Sequence, residues 1–379
     1  MLKWYAAHRR DLPWRATPDP YRVWISEIML QQTQVATVRE YFKRFVVALP
    51  DVHALAEADE RQVLRLWEGL GYYRRARQLH RAAQVIMDEH GGRFPARFDE
   101  ILSLPGIGRY TAGAISSIAF DRPAPILEAN TVRLFSRLLG LRGDATSAAN
   151  QTQLWRFASE IVPARGAGTV NQALMELGSL ICTPTAPKCD ACPLRAQCSA
   201  AAQGQQSQIP APKRRPLVEE VREATLVIWQ GGSVLVRQRS ASERWAGMWD
   251  FPRFSLAQSE DPAASVVARA LAQTGVNSSG PAHLTTIKHG VTRFRITLEC
   301  FESTCVASLK RVAQNECLQW RTPSELESLP LSVPARKIAR LLARRQSEKD
   351  CSLPNPGITK RPRPTAKSAA ASSQSSRGR

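Results

Sequence analysis

The spacing of apolar residues changes once along this chain, and this change constrains the fold more than any other feature of the sequence. In residues 1–201 apolar side chains recur three and four positions apart, as they do across residues 79–86, which is the period of an amphipathic helix. Ala224–Trp229 and Ser233–Arg237 instead form two short apolar runs around Gly231-Gly232, a pattern typical of a β-hairpin. The sequence therefore predicts a mainly α-helical domain followed by a smaller α+β domain.

The length of 379 residues exceeds that of a typical single domain, and the composition marks a boundary between two domains. Residues 202–220 are polar and spaced by prolines around Lys213-Arg214-Arg215, a composition that predicts a linker outside any core. We accordingly predict a helical domain at 1–201 and an α+β domain at 221–346. Residues 347–379 are rich in Pro, Ser, Ala and basic residues, which predicts a disordered tail.

Periodicity, together with the proline and glycine residues between segments, predicts where helices and strands lie. In the first domain the predicted helices include Tyr21–Leu49, Glu60–Glu68, Arg74–His90, Phe98–Leu104, Tyr110–Phe120, Thr131–Leu139 and Val170–Ile181. In the second domain we predict helices at Pro262–Gln273 and Val333–Arg345, and an alternating strand at Val291–Phe301.

The chain is strongly basic. Its 52 Lys and Arg exceed its 33 Asp and Glu, which gives a formal net charge of +19 and an isoelectric point near 10.2. A protein this basic is expected to bind a polyanion, either nucleic acid or an anionic membrane surface. No apolar run approaches the roughly 20 residues needed to cross a bilayer, and no apolar signal segment follows Met1. We therefore expect a cytoplasmic protein with reduced cysteines.

Four of the eight cysteines are clustered. Cys182, Cys189, Cys192 and Cys198 are separated by six, two and five residues, so four thiolates can converge on one centre. Tetrahedral sulfur ligation suits Zn²⁺ or a [4Fe–4S] cluster, and a single CxxC pair is less typical of zinc sites. Four unrelated thiols are the alternative.

A glycine-containing loop lies between two predicted helices. Leu104–Ala112 includes Gly106 and Gly108, which permit the unusual φ angles of a hairpin. The helix after this loop begins with backbone amides that have no partner within the helix, and such amides bind phosphate without reading base sequence. An ordinary turn between helices is the alternative interpretation. Residues Gly69–Arg75 mix aromatic and basic side chains, which suits base stacking and phosphate contact.

Two glutamates are candidates for acid–base chemistry, and each has a simpler interpretation. Glu27 shares a face of a predicted helix with Gln31 and Gln34, and the simpler interpretation is a solvated face. Glu128 precedes the predicted helix Thr131–Leu139, where an acid can cap the helix or compensate its dipole. The pattern of residues leaves both alternatives open.

Taken together, these segments resemble the MutY family of adenine DNA glycosylases, which remove adenine mispaired with 8-oxoguanine. The matching stretches are Asp11–Arg15, Ser26–Val35, Trp67–Tyr73, Leu104–Ala112 and the four cysteines. The resemblance implies a helix-hairpin-helix glycosylase domain whose cysteines hold a [4Fe–4S] cluster, and a Nudix-like C-terminal domain that recognises the 8-oxoguanine strand. It further implies a monomer that binds double-stranded DNA with A:8-oxoguanine or A:G mispairs and associates with the bacterial nucleoid.

The resemblance also implies roles for individual residues. Glu27 matches the acid that protonates N7 of adenine and later activates water, and Glu128 stands where the family has an aspartate that stabilises or captures the sugar cation. Asn130 matches a neighbouring asparagine, and Tyr110 completes the site. The residues that match DNA contacts are the pocket residues Trp14, Arg15, Leu30 and Gln172, the wedge residues Gln32 and Tyr72, and the hairpin glycines Gly106 and Gly108.

Tyr110 discriminates between two kinds of glycosylase. Members of the superfamily that also cut the DNA strand place a lysine at this position, and that lysine forms a Schiff base with the sugar. Because a phenol cannot do so, we predict a monofunctional enzyme that releases adenine and leaves an abasic site. Two other functions stay open: a catalytically impaired lesion-binding protein, and an endonuclease III-like bifunctional glycosylase, which Tyr110 disfavours.

The sequence departs from the family pattern in both domains. Glu128 is one methylene longer than the usual aspartate, in a site sensitive to small displacements. The lesion-reading loop, commonly Phe-Ser-His, is best matched by Val291-Thr292-Arg293, so Thr292 and Arg293 are candidate lesion contacts. His289 is an alternative to Arg293 as the lesion contact, and a surface histidine is its simpler interpretation. Ala263–Gly275 corresponds to the Nudix box but contains no carboxylate to hold Mg²⁺, so we expect binding without pyrophosphate hydrolysis.

Overall fold

The computed structural model describes residues 1–211, 217–308 and 317–352 of the chain. Its helices before residue 203 are α1 (Leu2–His8), α2 (Pro20–Leu30), α3 (Val35–Ala48), α4 (Val52–Glu57), α5 (Glu60–Leu66), α6 (Arg74–His90), α7 (Phe98–Ser103), α8 (Arg109–Phe120), α9 (Ala129–Leu139), α10 (Ala148–Ile161), α11 (Ala167–Leu180) and α12 (Ser199–Ala202). Helix α6 has its predicted limits, and α5, α7, α8, α9 and α11 differ from the predicted limits by at most three residues. The predicted helices do not include α1, α4, α10 or α12. Among the described residues, no helix is both long enough and apolar enough to span a membrane.

The predicted helix Tyr21–Leu49 is wrong, because the structure divides it into α2 and α3. Gln32, in the loop between them, has a left-handed backbone with a φ of 58°, which interrupts a right-handed helix. The Arg75 guanidinium also caps the end of α2, since its Nη1 donates to the carbonyl oxygens of Ile28 at 2.5 Å and Gln31 at 2.7 Å. Arg75 lies 44 residues from Gln31 in the chain, so local spacing could not reveal where α2 ends.

The helical domain has two apolar cores. The larger is built mainly by α2, α3, α5, α6 and α8 around the buried side chains of Trp24, Phe42 and Trp67. The smaller is built by α9, α10 and α11 around Phe135 and Leu177. A cleft remains where α2 and α8 of the first core meet α9 and α11 of the second, and the candidate site lies there.

The C-terminal part is one sheet with a helix on each face. Its elements are β1 (Glu219–Gln230), β2 (Ser233–Gln238), β3 (Trp249–Asp250), β4 (Arg253–Leu256), α13 (Pro262–Thr274), β5 (Val276–Val291), β6 (Phe294–Ser308), β7 (Leu318–Arg321) and α14 (Val333–Ser352). The strand order is β3-β2-β1-β6-β5, with β4 paired to β1 and β7 to β2. Only the β1–β6 pair among the described strands is parallel. Val227 packs toward α14 and Leu226 toward α13, because successive strand residues face opposite sides.

The predicted β-hairpin is confirmed, and the predicted strand at Val291–Phe301 is wrong at its start. Gly231 and Gly232 join β1 to β2 with φ angles of 54° and 81°, the left-handed pair that a two-residue turn requires. Thr292 and Arg293 form a two-residue turn between β5 and β6, since Val291 pairs with Phe294 in the antiparallel register, and of the two only Thr292 has a left-handed φ, of 53°.

Part of the predicted linker packs against the helical domain. Ile209 is 2% exposed, its carbonyl accepts from Arg137 Nε at 2.8 Å, and the amide of Ala211 donates to the carbonyl of Gly143 at 3.1 Å. The prediction of a linker outside any core is therefore wrong for this stretch, where one apolar side chain anchors a polar segment. The predicted tail begins within α14, which continues to Ser352, and residues 353–379 lie outside the described residues.

Candidate active site

A cavity of about 790 Å³ lies in the cleft between the two cores of the helical domain. This volume is within the range of small-molecule sites in proteins. The predicted residues that line the cavity are Trp14, Arg15, Glu27, Leu30, Gln32, Tyr110, Glu128, Asn130 and Gln172. The structure thus gathers all four predicted catalytic residues and the four predicted pocket residues at one place, although they come from segments far apart in the chain.

Glu27 is buried on α2, so the interpretation as a solvated helix face is wrong. Its side chain accepts a hydrogen bond at Oε2 from the hydroxyl of Tyr110, and the residue is 5% exposed. Burial raises the pKa of Glu27 from 4.5 to about 7, against the opposing effects of the Tyr110 bond and of Arg15, while the charge of Glu128 adds to the rise. A carboxyl with this pKa is protonated in a substantial fraction of molecules at neutral pH, as a general acid requires.

Tyr110 is a neutral hydrogen-bond donor in this arrangement. It lies in the first turn of α8, and its hydroxyl also approaches Met175 Sδ at 3.5 Å. Burial and the nearby carboxylates of Glu27 and Glu128 raise the pKa of the Tyr110 phenol well above its ordinary value. The phenol therefore keeps its proton and orients the Glu27 carboxyl toward the cavity.

The hydrogen bond from Tyr110 favours the ionised form of Glu27 and so lowers its pKa. Replacing Tyr110 with phenylalanine removes this bond and is expected to raise the pKa of Glu27. The pH at which half of the molecules have lost the Glu27 proton should therefore move upward. The pH profile of the single-turnover rate measures this midpoint. Tyr21→Phe is the matched control, since Tyr21 is also buried and its hydroxyl donates at 2.7 Å to the carbonyl of Leu49, outside the cavity. Equal profiles for Y110F and wild type would contradict the assignment.

Glu128 both caps α9 and lines the cavity. Its Oε1 accepts from the amide of Thr131 at 3.0 Å, its Oε2 accepts from the amide of Asn130 at 2.9 Å, and Thr131 Oγ1 accepts from the amide of Glu128 at 2.8 Å. This is a capping box. Burial raises the pKa of Glu128, while the hydrogen bonds from the two amides and from Asn130 oppose the rise by favouring the charged form. Glu128 can therefore cap α9 and take part in acid–base chemistry at the same time.

Asn130 holds the Glu128 carboxylate and is itself held by α11. Asn130 Nδ2 donates to Glu128 Oε2 at 3.1 Å, and Asn130 Oδ1 accepts from Arg133 Nη2 at 2.8 Å. Helix α11 approaches closely because residue 178 is glycine, at which a Cβ would lie 2.7 Å from Asn130 Cβ. Arg133 Nη2 also donates to the carbonyl of Gly178 at 2.6 Å. The start of α9 is thus immobilised on the wall of the cavity.

Glu176 is a third carboxylate of the cavity, and the sequence analysis missed it. It is fully buried on α11 and bonds Arg10 Nε at 2.8 Å and Arg15 Nη2 at 2.9 Å. Burial raises the pKa of Glu176, but the hydrogen bonds from Arg10 and Arg15 outweigh it and lower the pKa to about 2. Arg15 is therefore paired with Glu176, and within the described residues Glu27 forms no ion pair. A lone acid within the apolar segment Val170–Ile181 is the signal that could have revealed Glu176.

Gln32 and Tyr72 lie beside a second cavity of about 360 Å³, together with Gly106. Both have left-handed backbones, with φ angles of 58° and 50°, and Tyr72 is 50% exposed. The expected phosphate contact by the Gly69–Arg75 stretch is wrong for Arg75, whose guanidinium is occupied by backbone carbonyls. Burial lowers the pKa of Arg75 to about 10. The exposed tyrosine remains as the candidate wedge.

The predicted hairpin is present, and its two glycines have different roles. Gly106 has a left-handed φ of 77°, and a Cβ there would lie 2.6 Å from Gln78 Cβ. Gly108 is the N-cap of α8 with a φ of −98°, so the expected unusual φ is wrong for this glycine. It has no side chain to cap the helix, and the first amides of α8 are left for an anion.

The four cysteines of the run lie together in the structure. Cys182, Cys189, Cys192 and Cys198 all line one cavity, and Arg137 Nη1 donates to Cys182 Sγ at 3.3 Å. Among the described residues, no group of three or more His, Cys, Asp or Glu side chains could hold a metal ion. Thiolates around one Zn²⁺ lie about 2.3 Å from it, whereas a cluster of four irons spreads its thiolates around a larger body. Both groups take four sulfur ligands, so the donor set of the run suits either one.

We expect the purified chain to absorb near about 400 nm and to contain about four iron and four sulfide per chain. Cys189→Ser should lower the iron content because it removes one thiolate ligand. Cys305→Ser is the control, since Cys305 lies on β6, outside the run. Stoichiometric zinc in place of iron would contradict this prediction.

The structure does not bring Thr292 and Arg293 to the main cavity, because they form the β5–β6 turn. Arg293 Nε lies 3.3 Å from Glu219 Oε2, and its guanidinium carbon lies 5.0 Å from the ring centroid of Phe294. His289 is half-buried rather than fully exposed, and its Nε2 lies 3.3 Å from Arg253 Nη2. Burial and the charge of Arg253 lower the pKa of His289 to about 4.

Comparison with known proteins matches both parts of the chain. A family model described as HhH-GPD superfamily base excision DNA repair protein matches residues 25–160, and a NUDIX domain model matches residues 224–341. The chain is 38% identical over 255 residues to the adenine DNA glycosylase of Buchnera aphidicola subsp. Schizaphis graminum, over 67% of this chain and 74% of that protein. It is 30% identical over 429 residues to the adenine DNA glycosylase of Homo sapiens, over 96% of this chain and 78% of that protein.

The helical domain is similar to a solved structure as well. One described as a thermostable thymine-DNA glycosylase is 32% identical, with a TM-score of 0.49 over 53% of this chain and 93% of that chain.

Proposed function

The chain belongs to the adenine DNA glycosylase family, and on that premise we propose that it hydrolyses the bond between adenine and deoxyribose in DNA, as the first step of base excision repair. One observation carries this proposal. Glu27, with a pKa raised to about 7 by burial, faces the same cavity as the hydrogen-bonded carboxylate of Glu128. An acid and a carboxylate at one site are what glycosidic hydrolysis through a sugar cation needs.

The reaction uses the two glutamates in different states. Protonated Glu27 donates its proton to N7 of adenine, and the bond between N9 and C1′ then breaks with its electron pair going to the base. The Glu128 carboxylate stabilises the positive charge that develops on the sugar. Glu27, now ionised, takes a proton from water as the water oxygen bonds C1′. Adenine and an abasic site are released, and Glu27 is protonated again.

Base extrusion precedes this chemistry, because the target atom is inaccessible inside a duplex. Exposed Tyr72 and Gln32 are suited to fill the space that the extruded adenine leaves. The amides at the start of α8 are suited to a backbone phosphate. The net charge of +19 supports salt-dependent attraction to any DNA.

The favoured substrate is adenine opposite 8-oxoguanine or guanine. Thr292 and Arg293 support recognition of the opposite strand by the C-terminal domain, since they occupy the tip of the β5–β6 turn. Helix α13 contains no carboxylate, so we expect this domain to bind without hydrolysing pyrophosphates. We further propose that the protein acts as a cytoplasmic monomer.

We also propose that Cys182, Cys189, Cys192 and Cys198 hold a [4Fe–4S] cluster. When bound, such a cluster supplies one-electron redox chemistry and four strong bonds that brace the loop. Cys182 lies two residues after the end of α11, so the braced loop supports the helix that carries Gln172 and Glu176.

A single-turnover assay tests the proposed function on duplexes with A:8-oxoguanine, A:G and thymine glycol. We expect release of adenine from the first two and no reaction with thymine glycol. Binding to A:8-oxoguanine without release would favour the lesion-binding protein. Reaction with thymine glycol, or a covalent adduct trapped by borohydride in substantial yield, would favour the bifunctional enzyme, which needs an amine where Tyr110 stands.

A further inference from the structure

Among the described residues, the C-terminal domain contacts the helical domain at two places. In the first, Met248 is buried in the larger helical core, and Arg77 Nη1 of α6 donates to the carbonyl of Ala246. The second joins Glu68, which follows α5, to Arg336 on α14. The contacts of Met248 and Arg77 hold the two domains together. The Glu68–Arg336 pair also fixes how its two side chains are oriented, which holding the domains together does not require.

The Glu68–Arg336 pair is bidentate and buried. Arg336 Nε donates to Glu68 Oε1 at 2.7 Å and Nη2 donates to Oε2 at 2.9 Å, with both side chains 8% exposed. The amide of Leu331 also donates to Glu68 Oε2 at 3.3 Å. Arg336 donates in addition to the carbonyls of Leu326 and Leu329 at 2.8 Å and 2.6 Å. Because the guanidinium and the carboxylate are both planar and share two hydrogen bonds, the pair fixes the orientation of the two side chains as well as their distance.

Glu68 begins the loop that carries Tyr72. Its own carbonyl accepts from Tyr41 Oη at 2.7 Å. The carbonyl of Gly71 accepts from Trp67 Nε1 and from Arg75 Nη2, each at 3.2 Å. The helical domain thus holds the loop backbone at both ends, and the C-terminal domain holds the Glu68 side chain. If Glu68 moved, the backbone of residues 69–71 would move with it and would change the orientation of Tyr72.

We propose that Glu68 and Arg336 are positioning residues for base extrusion, through which the C-terminal domain sets the position of the Tyr72 loop. This inference rests on the proposed function, because it assigns Tyr72 to the space left by the extruded base. Neither residue contacts substrate. The pair links the domain that is suited to the opposite strand with the loop that is suited to displace adenine.

The test compares wild type with Glu68→Gln, Arg336→Gln and the double variant. Hydrogen exchange of the peptide covering residues 67–75, without DNA, reports the loop. Fluorescence of 2-aminopurine placed next to the target adenine reports extrusion. We expect each single variant to exchange faster in this peptide and to extrude the target adenine about tenfold more slowly. The double variant should show little further change, because each single substitution already removes the same Glu68–Arg336 interaction. The pH profile of the chemical step should be unchanged, because Glu27 is untouched.

Arg77→Met is the matched control for adhesion, since it removes the bond to Ala246 and leaves Glu68 in place. Glu299→Gln is the control for folding of the C-terminal domain, because it breaks the Arg222–Glu299 pair within the sheet. Both controls should leave loop exchange and extrusion as in wild type.

Equal effects of R77M and E68Q would overturn the proposal by showing that the pair only tethers the domains. Unchanged loop exchange in E68Q, which keeps the size of the side chain, would overturn it as well. If the wild type releases no adenine, the proposed function fails, whereas the exchange measurement still decides whether the pair positions the loop.

Discussion

Replacing Glu27 with glutamine is expected to slow adenine excision by a factor of about 10²–10⁴, which is the usual contribution of a positioned acid or base. Glutamine keeps the size of the side chain and can accept from the Tyr110 hydroxyl, but it has no proton to give. Single-turnover rates on an A:8-oxoguanine duplex measure the effect. Glu40→Gln is the control, because this exposed acid on α3 lies outside the cavity. A rate for E27Q within a few-fold of wild type would exclude Glu27 as the acid.

The same substitution should make the folded state more stable at high pH. Folding raises the pKa of Glu27 from 4.5 to about 7, so between these values the folded state binds a proton more tightly than the unfolded state. The resulting stabilisation of wild type is fully present below pH 4.5 and is lost as the pH rises through 7. At about 1.4 kcal/mol per unit, this loss amounts to about 3 kcal/mol, and glutamine avoids it.

Denaturant unfolding of wild type and E27Q at pH 5 and pH 8 measures this difference. E27Q should be the more stable protein at pH 8, and its advantage should shrink toward pH 5. A constant difference in the free energy of unfolding at the two pH values would show that burial does not shift the pKa of Glu27.

Replacing Glu128 with glutamine is expected to lower the single-turnover rate by about 10²-fold or more, the cost of removing one group that stabilises transition-state charge. The DNA affinity should survive, because Glu128 does not bind phosphate in the proposed mechanism. The helix cap should weaken as well, since the amide nitrogen of glutamine cannot accept from a backbone amide. Loss of a cap costs about 0.5–2 kcal/mol.

Thr131→Val separates these two roles of Glu128. It removes the hydroxyl that accepts from the amide of Glu128 and leaves the carboxylate with its bonds to the amides of Asn130 and Thr131. We expect T131V to lose stability and to excise adenine at nearly the wild-type rate. If E128Q also excises at the wild-type rate, Glu128 is only a cap.

The glutamate at position 128 illustrates how capping and chemistry depend on each other. Both carboxylate oxygens are held by amides at the start of α9, and Asn130 Nδ2 adds a third donor. These donors act against burial by favouring the ionised form of Glu128. The cap therefore favours the charged form of the carboxylate, against the effect of burial, in the place where a sugar cation would form.

Much of the fold and of the site could be predicted from local patterns. The limits of α6, the β1–β2 hairpin and the cysteine run depend on residues close together in the chain. The same reasoning failed where distant residues intervene, as when Arg75 ends α2 and when Arg137 holds Ile209. Local spacing contains no information about such partners.

The sequence by itself determined which chemical groups the protein has. These are the candidate acids, a tyrosine rather than a lysine at position 110, four clustered thiols and a basic net charge. Only the tertiary structure decided what state those groups adopt. Burial of Glu27 raises its pKa to about 7, while two arginines lower the pKa of Glu176, which is also buried, to about 2. The two glutamates are identical as residues and differ because desolvation and hydrogen bonding are set by neighbours that folding brings from elsewhere in the chain.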